Sequence, residues 1–441
     1  MHLRVSGAGT ELLAIQPATG HSDAMSGDGA PVDEIVPPAP DPGRMGSERL
    51  NRLRNQMRAQ GVDGAVLMHG PHVTYATGHV PEAVDAGHAN HRRAVAIVSA
   101  SDGPARLHAH DPAGVEAGPP LWPELDDGAA GVGEAIADVL GDVTGCWVAV
   151  DGMTGAMARA GVLDGAELVD ASRVLVPARV VKTEDELACI DQSQRHTERA
   201  MEAAQAACAP GSTRTEVAGA FLAGLRDADP ESGPSHRHGM AATSAAYQNG
   251  IDPIFQPMPT RRDGGIRTST GHVAFPTGVD NPVYAEGDLV WVDAGVGYHG
   301  YMSDFGRTWV VGRAPTAAEQ SLFDRWMAVL EASLAAVRPG ATLGDVGRAA
   351  RSVEPHDTPW LPHFYLAHGV GLESAEMPMI GTDLGPAFDD AFELEPGMVL
   401  VFEPVTWTDG VGGYRAEEIV AVTDDGWRLL GGGHHYEPFR S

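Results

Sequence analysis

Five side chains in the carboxyl-terminal half of this 441-residue sequence have the types and the order of a metal centre. They are two aspartates, one histidine and two glutamates: Asp293, Asp304, His368, Glu403 and Glu417. Oxygen-rich sets of this kind suit hard or borderline divalent cations. A single carboxylate on a strand is more often an ordinary exposed residue, but five such residues in this order predict a site for a pair of metal ions.

A predicted β-hairpin carries the two aspartates. Residues 289–295 and 300–311 are rich in β-branched and aromatic residues, and a short glycine-containing turn separates them. A turn centred directly after Tyr298 would place Asp293 opposite Asp304, with both carboxylates on one face. Like charges in such positions destabilise a sheet unless a cation lies between them. The hairpin therefore supports the prediction of a metal ion.

A second predicted hairpin joins residues 398–404 to residues 414–422, and each of its strands carries one glutamate. His368 lies among glycines between the two hairpins. Two related octapeptides, Pro210–Val217 and Pro339–Val346, each follow a predicted helix and precede another apolar helical run. This repeat suggests an internal duplication in which each half provides two acidic strands to a shared centre.

The chain is long enough for two domains and a tail. Residues 1–44 are rich in Gly, Ala, Asp and Pro, which predicts a disordered tail and a linker. Residues 45–180 alternate helix-like segments with apolar strand-like runs, which predicts an α/β domain. Residues 181–441 are predicted to form one α+β catalytic domain with internal pseudo-symmetry.

Four predictions concern shorter segments. The first helix is expected to begin at Ser47, which can cap it, and residues 73–77 are expected to form a strand. A long amphipathic helix over residues 184–208 is expected to link the two domains. The histidine- and arginine-rich run His88–Arg93 is the part of the smaller domain that we expect to face a substrate.

The composition excludes several classes of partner. The formal charge of −30 and a pI near 4.8 argue against binding to nucleic acid or to an anionic membrane. The three cysteines are widely spaced and show no metal-ligand spacing, which fits a reducing compartment. No apolar run approaches the length of a membrane span, and the first residues lack the apolar segment of a secretory signal. We therefore expect a cytoplasmic protein.

The residues resemble a known family, the pita-bread-fold metallopeptidases of the aminopeptidase P, prolidase and creatinase group. The resemblance extends from about residue 47 to residue 440. Its motifs are Gly287–Gly295, Gly300–Thr308, His368–Leu372, Leu394–Leu400 with Glu403, and Tyr414–Glu417. It implies an α+β pita-bread catalytic domain preceded by a smaller α/β creatinase-type domain.

The resemblance also implies how the five side chains act. They would bind two divalent ions, which could be manganese, iron, cobalt or zinc, and Asp304 and Glu417 would bridge the two ions. Glu403 and His368 would be catalytic as well as metal-binding, with Glu403 as the general base for the attacking water. The family further implies a small, dipeptide-like substrate and a homodimer in which one subunit's smaller domain borders its partner's cleft.

The sequence departs from the peptidases at the two histidines that bind the scissile amide and protonate the product. One of these positions falls near Phe275 and Pro276, and the other is Ala375. Nearby histidines could replace the missing imidazoles, and an arginine beside Glu417 could steer a substrate carboxylate or form a structural ion pair. The candidate substrate-binding residues are His91, His272, His363, Tyr365 and Arg415.

One non-peptidase branch of the family, the dimethylsulfoniopropionate lyases, also lacks these histidines and keeps the metals. Its catalytic aspartate aligns with Ser374, however, and its extra acidic ligand aligns with Gly295. We therefore expect a hydrolase that cleaves an amide bond in a dipeptide-like or small zwitterionic substrate. The alternatives are a metal-dependent lyase that breaks a C–S or C–N bond, and a non-catalytic binding protein with the same fold.

Overall fold

The computed structural model describes residues 39–81, 94–110, 112, 114–227, 258–259, 283–354, 359–360, 365–382, 384–408, 411–432 and 436–440. The predicted tail before residue 39 lies outside these ranges. So do the run around His91 and two further predicted substrate-binding residues, His272 and His363.

The amino-terminal part is a mixed five-stranded sheet with helices on both faces. Its elements are α1 (Pro42–Ala59), β1 (Gly64–Leu67), α2 (Gly70–Thr77), β2 (Ala94–Ser99), β3 (Arg106–Ala109), α3 (Asp126–Leu140), β4 (Trp147–Val150), α4 (Gly155–Ala160), β5 (Glu167–Asp170) and α5 (Ser172–Arg179). The strand order is β3-β2-β1-β4-β5, with β1, β4 and β5 parallel and β1, β2 and β3 antiparallel. Successive strand residues alternate between the faces: Val66 packs with Val132 of α3, and Leu67 packs with Leu53 of α1.

Helix α1 begins five residues before the predicted start at Ser47. Asp41 caps it by accepting hydrogen bonds from the backbone N–H groups of Gly43 and Arg44. Pro42 fits the first helical position because its missing N–H needs no partner there. The Ser47 hydroxyl lies inside the helix and donates to the Gly43 carbonyl at 2.9 Å. Asp41, and not the predicted Ser47, is therefore the residue that caps the helix.

The segment predicted as a strand at residues 73–77 forms most of helix α2. Pro71 stands in the first turn of this helix, and Gly78 ends it with a φ of 80°. The buried residues Val73 and Tyr75 favour a strand by local propensity. They are helical because both side chains reach the core between the sheet and the neighbouring helices, and such packing overrides propensity.

The carboxyl-terminal part contains α6 (Glu184–Ala207), α7 (Arg214–Asp227), β6 (Met258–Pro259), β7 (Leu289–Ala294), β8 (Gly297–Tyr298), β9 (Tyr301–Met302), β10 (Phe305–Val310), α8 (Ala317–Ala336), α9 (Leu343–Val353), β11 (Ala367–Gly369), β12 (Glu376–Ile380), α10 (Pro386–Ala391), β13 (Val399–Phe402), β14 (Val405–Thr408), β15 (Gly412–Arg415), β16 (Glu418–Thr423) and β17 (Gly426–Leu429). Its strands form antiparallel sheets in the orders β10-β7-β6, β12-β11-β13-β16-β17, β14-β15 and β8-β9. Across the described residues, no helix is both long enough and apolar enough to cross a membrane.

The linker helix α6 matches the prediction for residues 184–208 to within one residue. Thr183 and Glu186 form a capping box at its start. The two related octapeptides also have the same structure. Thr213 and Glu216 exchange hydrogen bonds before α7, and Thr342 and Asp345 form the equivalent capping box before α9. Because the same kind of capping box also starts α6 and α8, this equivalence does not test the duplication, which stays a prediction.

Candidate metal centre

The hairpin that carries the two aspartates has a different register from the predicted one. In the β7–β10 ladder, Asp293 pairs with Gly306 instead of Asp304. The turn residues are His299 and Gly300, with φ angles of 51° and 84°. A two-residue hairpin turn of type I′ requires positive φ at both central positions. His299 and Gly300 meet this requirement, so the turn lies one residue later than expected. The register therefore shifts by two, and this even shift leaves Asp293 and Asp304 on the same face.

A break in the first hairpin frees Asp304 from the ladder. The β7–β10 and β8–β9 ladders stop on either side of Ser303 and Asp304. The Ser303 hydroxyl accepts a hydrogen bond from the Val296 N–H at 2.9 Å and lies 2.6 Å from the Thr197 hydroxyl of α6. The Ser303 side chain thus provides a partner for the Val296 N–H across the break, and the Asp304 carboxylate lies in the acidic cluster with Asp293 and Glu417.

The second hairpin has a similar break, at the two glutamates. Phe402 pairs with Glu418 on one side of it, and Val405 pairs with Arg415 on the other. Both ladders have the same register, which places Glu403 opposite Glu417 in the gap. Proline cannot donate a ladder hydrogen bond, and Pro404 lies in this gap. The sequence therefore encodes the interruption.

The structure brings all five predicted ligands together. One carboxylate oxygen from each of Asp293, Asp304 and Glu417 lies within 4.8 Å of the others. The Nε2 atom of His368 lies 3.3 Å from Asp304 Oδ2 and 3.3 Å from Glu403 Oε1. His368, Glu403 and Glu417 are each at most 2% exposed.

The hydrogen bond on the other side of His368 identifies its tautomer. Nδ1 lies 2.8 Å from the Gly369 carbonyl oxygen. A carbonyl can only accept, so Nδ1 carries the proton and donates it. In the neutral ring, Nε2 then presents a lone pair to the carboxylate oxygens of Asp304 and Glu403. Acceptors that face one another in this way are suited to a shared cation, and the Nδ1 bond is the one that orients a metal-binding histidine.

The electrostatics of the site also fit a cation. Burial raises the pKa of Asp304 and of Glu417 well above their usual range, and the Asp293 carboxylate adds to both rises. Burial lowers the pKa of His368. Glu403 Oε1 and Glu417 Oε2 are buried and accept no hydrogen bond from any residue that the structure describes. A buried carboxylate is costly unless a hydrogen-bond donor or a cation compensates its charge. A divalent ion among these oxygens would compensate them.

Arg415, a predicted substrate-binding residue, lies inside the cluster. Its guanidinium contacts Glu403 Oε2, lies 3.1 Å from Glu417 Oε1 and stacks 4.4 Å above the Trp291 ring. This geometry makes Arg415 an ion-pair partner of the two glutamates. A role in substrate binding stays a prediction.

Sequence reasoning missed a second buried arginine behind the site. Arg307 donates from Nη1 to the Glu417 carbonyl at 2.7 Å and from Nη2 to Glu418 Oε1 at 2.8 Å. Tyr436 donates to the same oxygen of Glu418 at 2.7 Å. Glu418 therefore points away from the metal centre, as its position next to Glu417 on the chain predicts. The feature of the sequence that could have revealed this interaction is an arginine inside a strand that is buried along its whole length.

Tyr365 is the other predicted substrate residue that the structure describes. Its ring centre lies 4.7 Å from that of His368. Burial raises the pKa of Tyr365 to about 12, and the Asp304 carboxylate contributes to the rise. Ala375 is half-buried and offers no imidazole. Tyr365 is thus placed at the edge of the metal centre.

Comparison with known proteins gives a family for both parts of the chain. Residues 49–181 match the creatinase/prolidase N-terminal domain, and residues 188–424, more than half of the chain, match metallopeptidase family M24. A Pyrococcus furiosus Xaa-Pro dipeptidase is 34% identical over 166 residues, which are 37% of this chain and 45% of that protein. An uncharacterized peptidase of Staphylococcus saprophyticus is 34% identical over 164 residues, 36% of this chain and 45% of that protein. The aligned stretches thus span less than half the length of these curated relatives.

Solved structures of similar proteins share the fold over most of this chain. A prolidase from Pyrococcus horikoshii has a TM-score of 0.63 at 20% identity, covering 88% of this chain and 99% of that chain. The dipeptidase PepE from Mycobacterium ulcerans has a TM-score of 0.65 at 22% identity, covering 90% and 98%. The predicted α+β pita-bread fold with a creatinase-type amino-terminal domain is confirmed, and the chain belongs to metallopeptidase family M24.

Proposed function

We propose that this protein is a dinuclear metal-dependent hydrolase that cleaves an amide bond in a dipeptide-like or small zwitterionic substrate. The observation that carries the proposal is the convergence of Asp293, Asp304, His368, Glu403 and Glu417, with buried oxygens and one imidazole lone pair facing each other. The similarity to an Xaa-Pro dipeptidase supports an amide substrate.

The five side chains would hold two divalent ions. Two such ions, when bound, activate a water molecule at neutral pH and polarise a substrate carbonyl. Manganese, iron, cobalt and zinc are all compatible with one imidazole and four carboxylates.

We propose that Glu403 moves the proton. Arg415 contacts its Oε2, while its Oε1 faces His368 and Asp304 across the centre. The Glu403 carboxylate would accept a proton from the attacking water and deliver it to the leaving amine. Ala375 cannot assist in that second step, so we expect weaker cleavage of ordinary X-Pro dipeptides than of amides with better leaving groups.

Elemental analysis of the purified protein, combined with mass spectrometry of products, tests the proposal. The substrates would be X-Pro dipeptides, N-acyl amino acids and dimethylsulfoniopropionate. Two metal ions per chain together with an amine and a carboxylic acid as products would support a dinuclear hydrolase. An alkene with a released sulfide or amine would favour the lyase alternative, and a chain that binds no metal would refute both.

The homodimer and the cytoplasmic location stay predictions. The dimer requires a particle mass in solution of twice 46.2 kDa. A mass corresponding to one chain would remove the expectation that the amino-terminal domain borders a partner's cleft.

A further inference from the structure

The sequence contains 29 arginines and a single lysine, Lys182, and that lysine is buried. Its side chain is 1% exposed. The ammonium lies 2.8 Å from Glu376 Oε1 and donates to the carbonyl oxygen of Arg179 at 2.8 Å. A lysine ammonium is a compact point charge, whereas an arginine guanidinium is a broad planar fork. The position therefore uses the smaller cation in a chain that otherwise uses only arginine.

Glu376 is held by a second cation. The Arg179 guanidinium contacts Glu376 Oε2 and lies 2.7 Å from Glu373 Oε2. Burial by itself would raise the pKa of Glu376, but Lys182 and Arg179 outweigh it and hold the pKa below its usual range. The group of Arg179, Lys182 and Glu376, called here the Glu376 clamp, therefore contains an ionised carboxylate between two buried cations.

The clamp connects the two parts of the chain. Arg179 is the last residue of α5, in the amino-terminal part, and Lys182 precedes the linker helix. Glu376 is the first residue of β12, the neighbour of the strand that carries His368. Contacts between these three residues thus relate the end of the amino-terminal part to the metal-ligand sheet.

Glu376 also touches the loop that follows His368. A Cβ atom added at Gly371 would lie 2.5 Å from Glu376 Oε1, so only glycine allows this approach. The Gly371 carbonyl accepts a hydrogen bond from the Met302 N–H at 2.7 Å. Met302 is two residues before Asp304 on the chain. One loop therefore joins the clamp to the segments that carry His368 and Asp304.

We propose that Glu376 is a positioning residue of the metal centre, and that Lys182 and Arg179 fix the place of His368 and Asp304 through its carboxylate. The proposal rests on the proposed metal centre. Removing one member of a buried ion pair leaves an uncompensated charge, which draws the loop toward water. Residues that orient metal ligands typically change metal affinity by about 10- to 100-fold when they are substituted.

The variant Glu376→Gln keeps the side-chain shape and removes the charge. Its matched control is Glu319→Gln, because Glu319 is similarly buried and pairs with Arg313 at 2.7 Å, but caps helix α8. We would titrate Mn²⁺ into the chelator-treated full chain by calorimetry and measure kcat and thermal unfolding for both variants. Both should unfold at a lower temperature. Only Glu376→Gln should lose metal affinity, by about tenfold or more, together with kcat.

A double variant tests whether Glu376 acts through Lys182. If it does, Lys182→Met and Glu376→Gln combined should lose no more metal affinity than the more affected single variant, because coupled residues are not additive. Losses that add would show that the two residues act independently and would overturn the proposal. Lys182→Met alone also tests the clamp if Glu376→Gln does not fold.

The outcomes separate this proposal from the proposed function. If the unmodified chain binds no Mn²⁺ or other divalent metal, the metal centre itself is wrong. If the unmodified chain and Glu376→Gln bind Mn²⁺ equally well and turn over equally fast, the metal centre stands and the positioning role of Glu376 is wrong.

Discussion

Glu403 and Glu417 lie opposite each other in a gap between two ladders of identical register. Within a continuous ladder, two opposed glutamates would destabilise the sheet through their like charges. The interruption at Pro404 releases both residues from regular pairing, and Arg415 contacts one oxygen of each. The oxygens that remain, Glu403 Oε1 and Glu417 Oε2, are the ones available to a metal ion.

Substitution of Asp304 tests the centre most directly. Asp304 approaches Asp293, Glu417 and His368, so Asp304→Ala removes an oxygen from the middle of the cluster. We expect loss of bound metal and of activity together. Because one of several crowded carboxylates is removed, the metal-free variant should unfold at the same temperature as the metal-free parent chain, or a higher one.

Elemental analysis, activity assays and thermal unfolding check this prediction on the same samples. The exposed capping residue Asp345 provides the control: Asp345→Ala should lose some stability and keep its metal. Full activity of Asp304→Ala with undiminished metal content would contradict the assignment of all five ligands.

Residue type and chain order were sufficient to predict that the five side chains lie together, and their role as metal ligands stays a prediction. The hairpin register was wrong because turn position depends on backbone φ angles at His299 and Gly300, which residue types only partly determine. The even register shift preserved the face of the sheet, so the prediction that Asp293 and Asp304 lie close together survived it.

Contacts between distant parts of the chain could not be predicted. Arg307 and Glu417 are 110 residues apart, and Tyr301 and Arg49 are 252 apart. No periodicity relates such pairs, since they arise from packing of the finished fold. The same limit explains the error at Val73 and Tyr75, where tertiary packing overrode the local preference for a strand.

Removal of the Tyr301 hydroxyl should destabilise the protein more than removal of a comparable tyrosine hydroxyl. Tyr301 donates to Glu186 Oε1 at 2.6 Å and accepts from Arg49 Nη1 at 3.1 Å, and all three residues are buried. Tyr301→Phe leaves both charged groups without this bond, so we expect a loss of about 3 kcal/mol in the free energy of unfolding.

Tyr75→Phe is the control, because the hydroxyl of this buried tyrosine donates only to the neutral carbonyl of Ala178 at 2.6 Å. Its expected loss is about 1 kcal/mol. Denaturant unfolding of the two variants measures the difference. Equal losses in the free energy of unfolding would mean that the Tyr301 hydroxyl does not stabilise the charged groups of Arg49 and Glu186 more than an ordinary hydrogen bond would.

The turn at Gly300 should be sensitive to a single methyl group. Gly300 has a φ of 84°, and an added Cβ would lie 3.2 Å from Val80 Cγ2. Gly340 has a similar φ of 77° but open space around it. Alanine in this conformation costs about 1–2 kcal/mol at either position.

Only Gly300→Ala should also weaken metal binding, because the turn fixes the register of the aspartate hairpin. Calorimetric titration with Mn²⁺ and denaturant unfolding of both variants check this, and equal metal affinities would contradict it.

The pH dependence of stability should contain a contribution from Glu198. Burial raises the pKa of Glu198 to about 8, although the Gly432 N–H and Arg307 oppose the rise. An unfolded glutamate has a pKa of about 4.3, so the folded chain binds this proton more tightly. The resulting stability is fully present below about pH 4 and is lost as the pH rises to about 8.

Glu198→Gln stays neutral throughout, so its free energy of unfolding should fall less than that of the parent chain between pH 5 and pH 8. All other groups titrate in both proteins, and the difference between the two curves therefore isolates this carboxyl. In Glu319→Gln the sign is reversed, because Arg313 lowers the pKa of Glu319. The stability from Glu319 is lost only as the pH falls through that low pKa, so this control should parallel the parent chain between pH 5 and pH 8. A Glu198→Gln curve that also runs parallel to the parent would show that Glu198 is ionised in the folded protein at neutral pH.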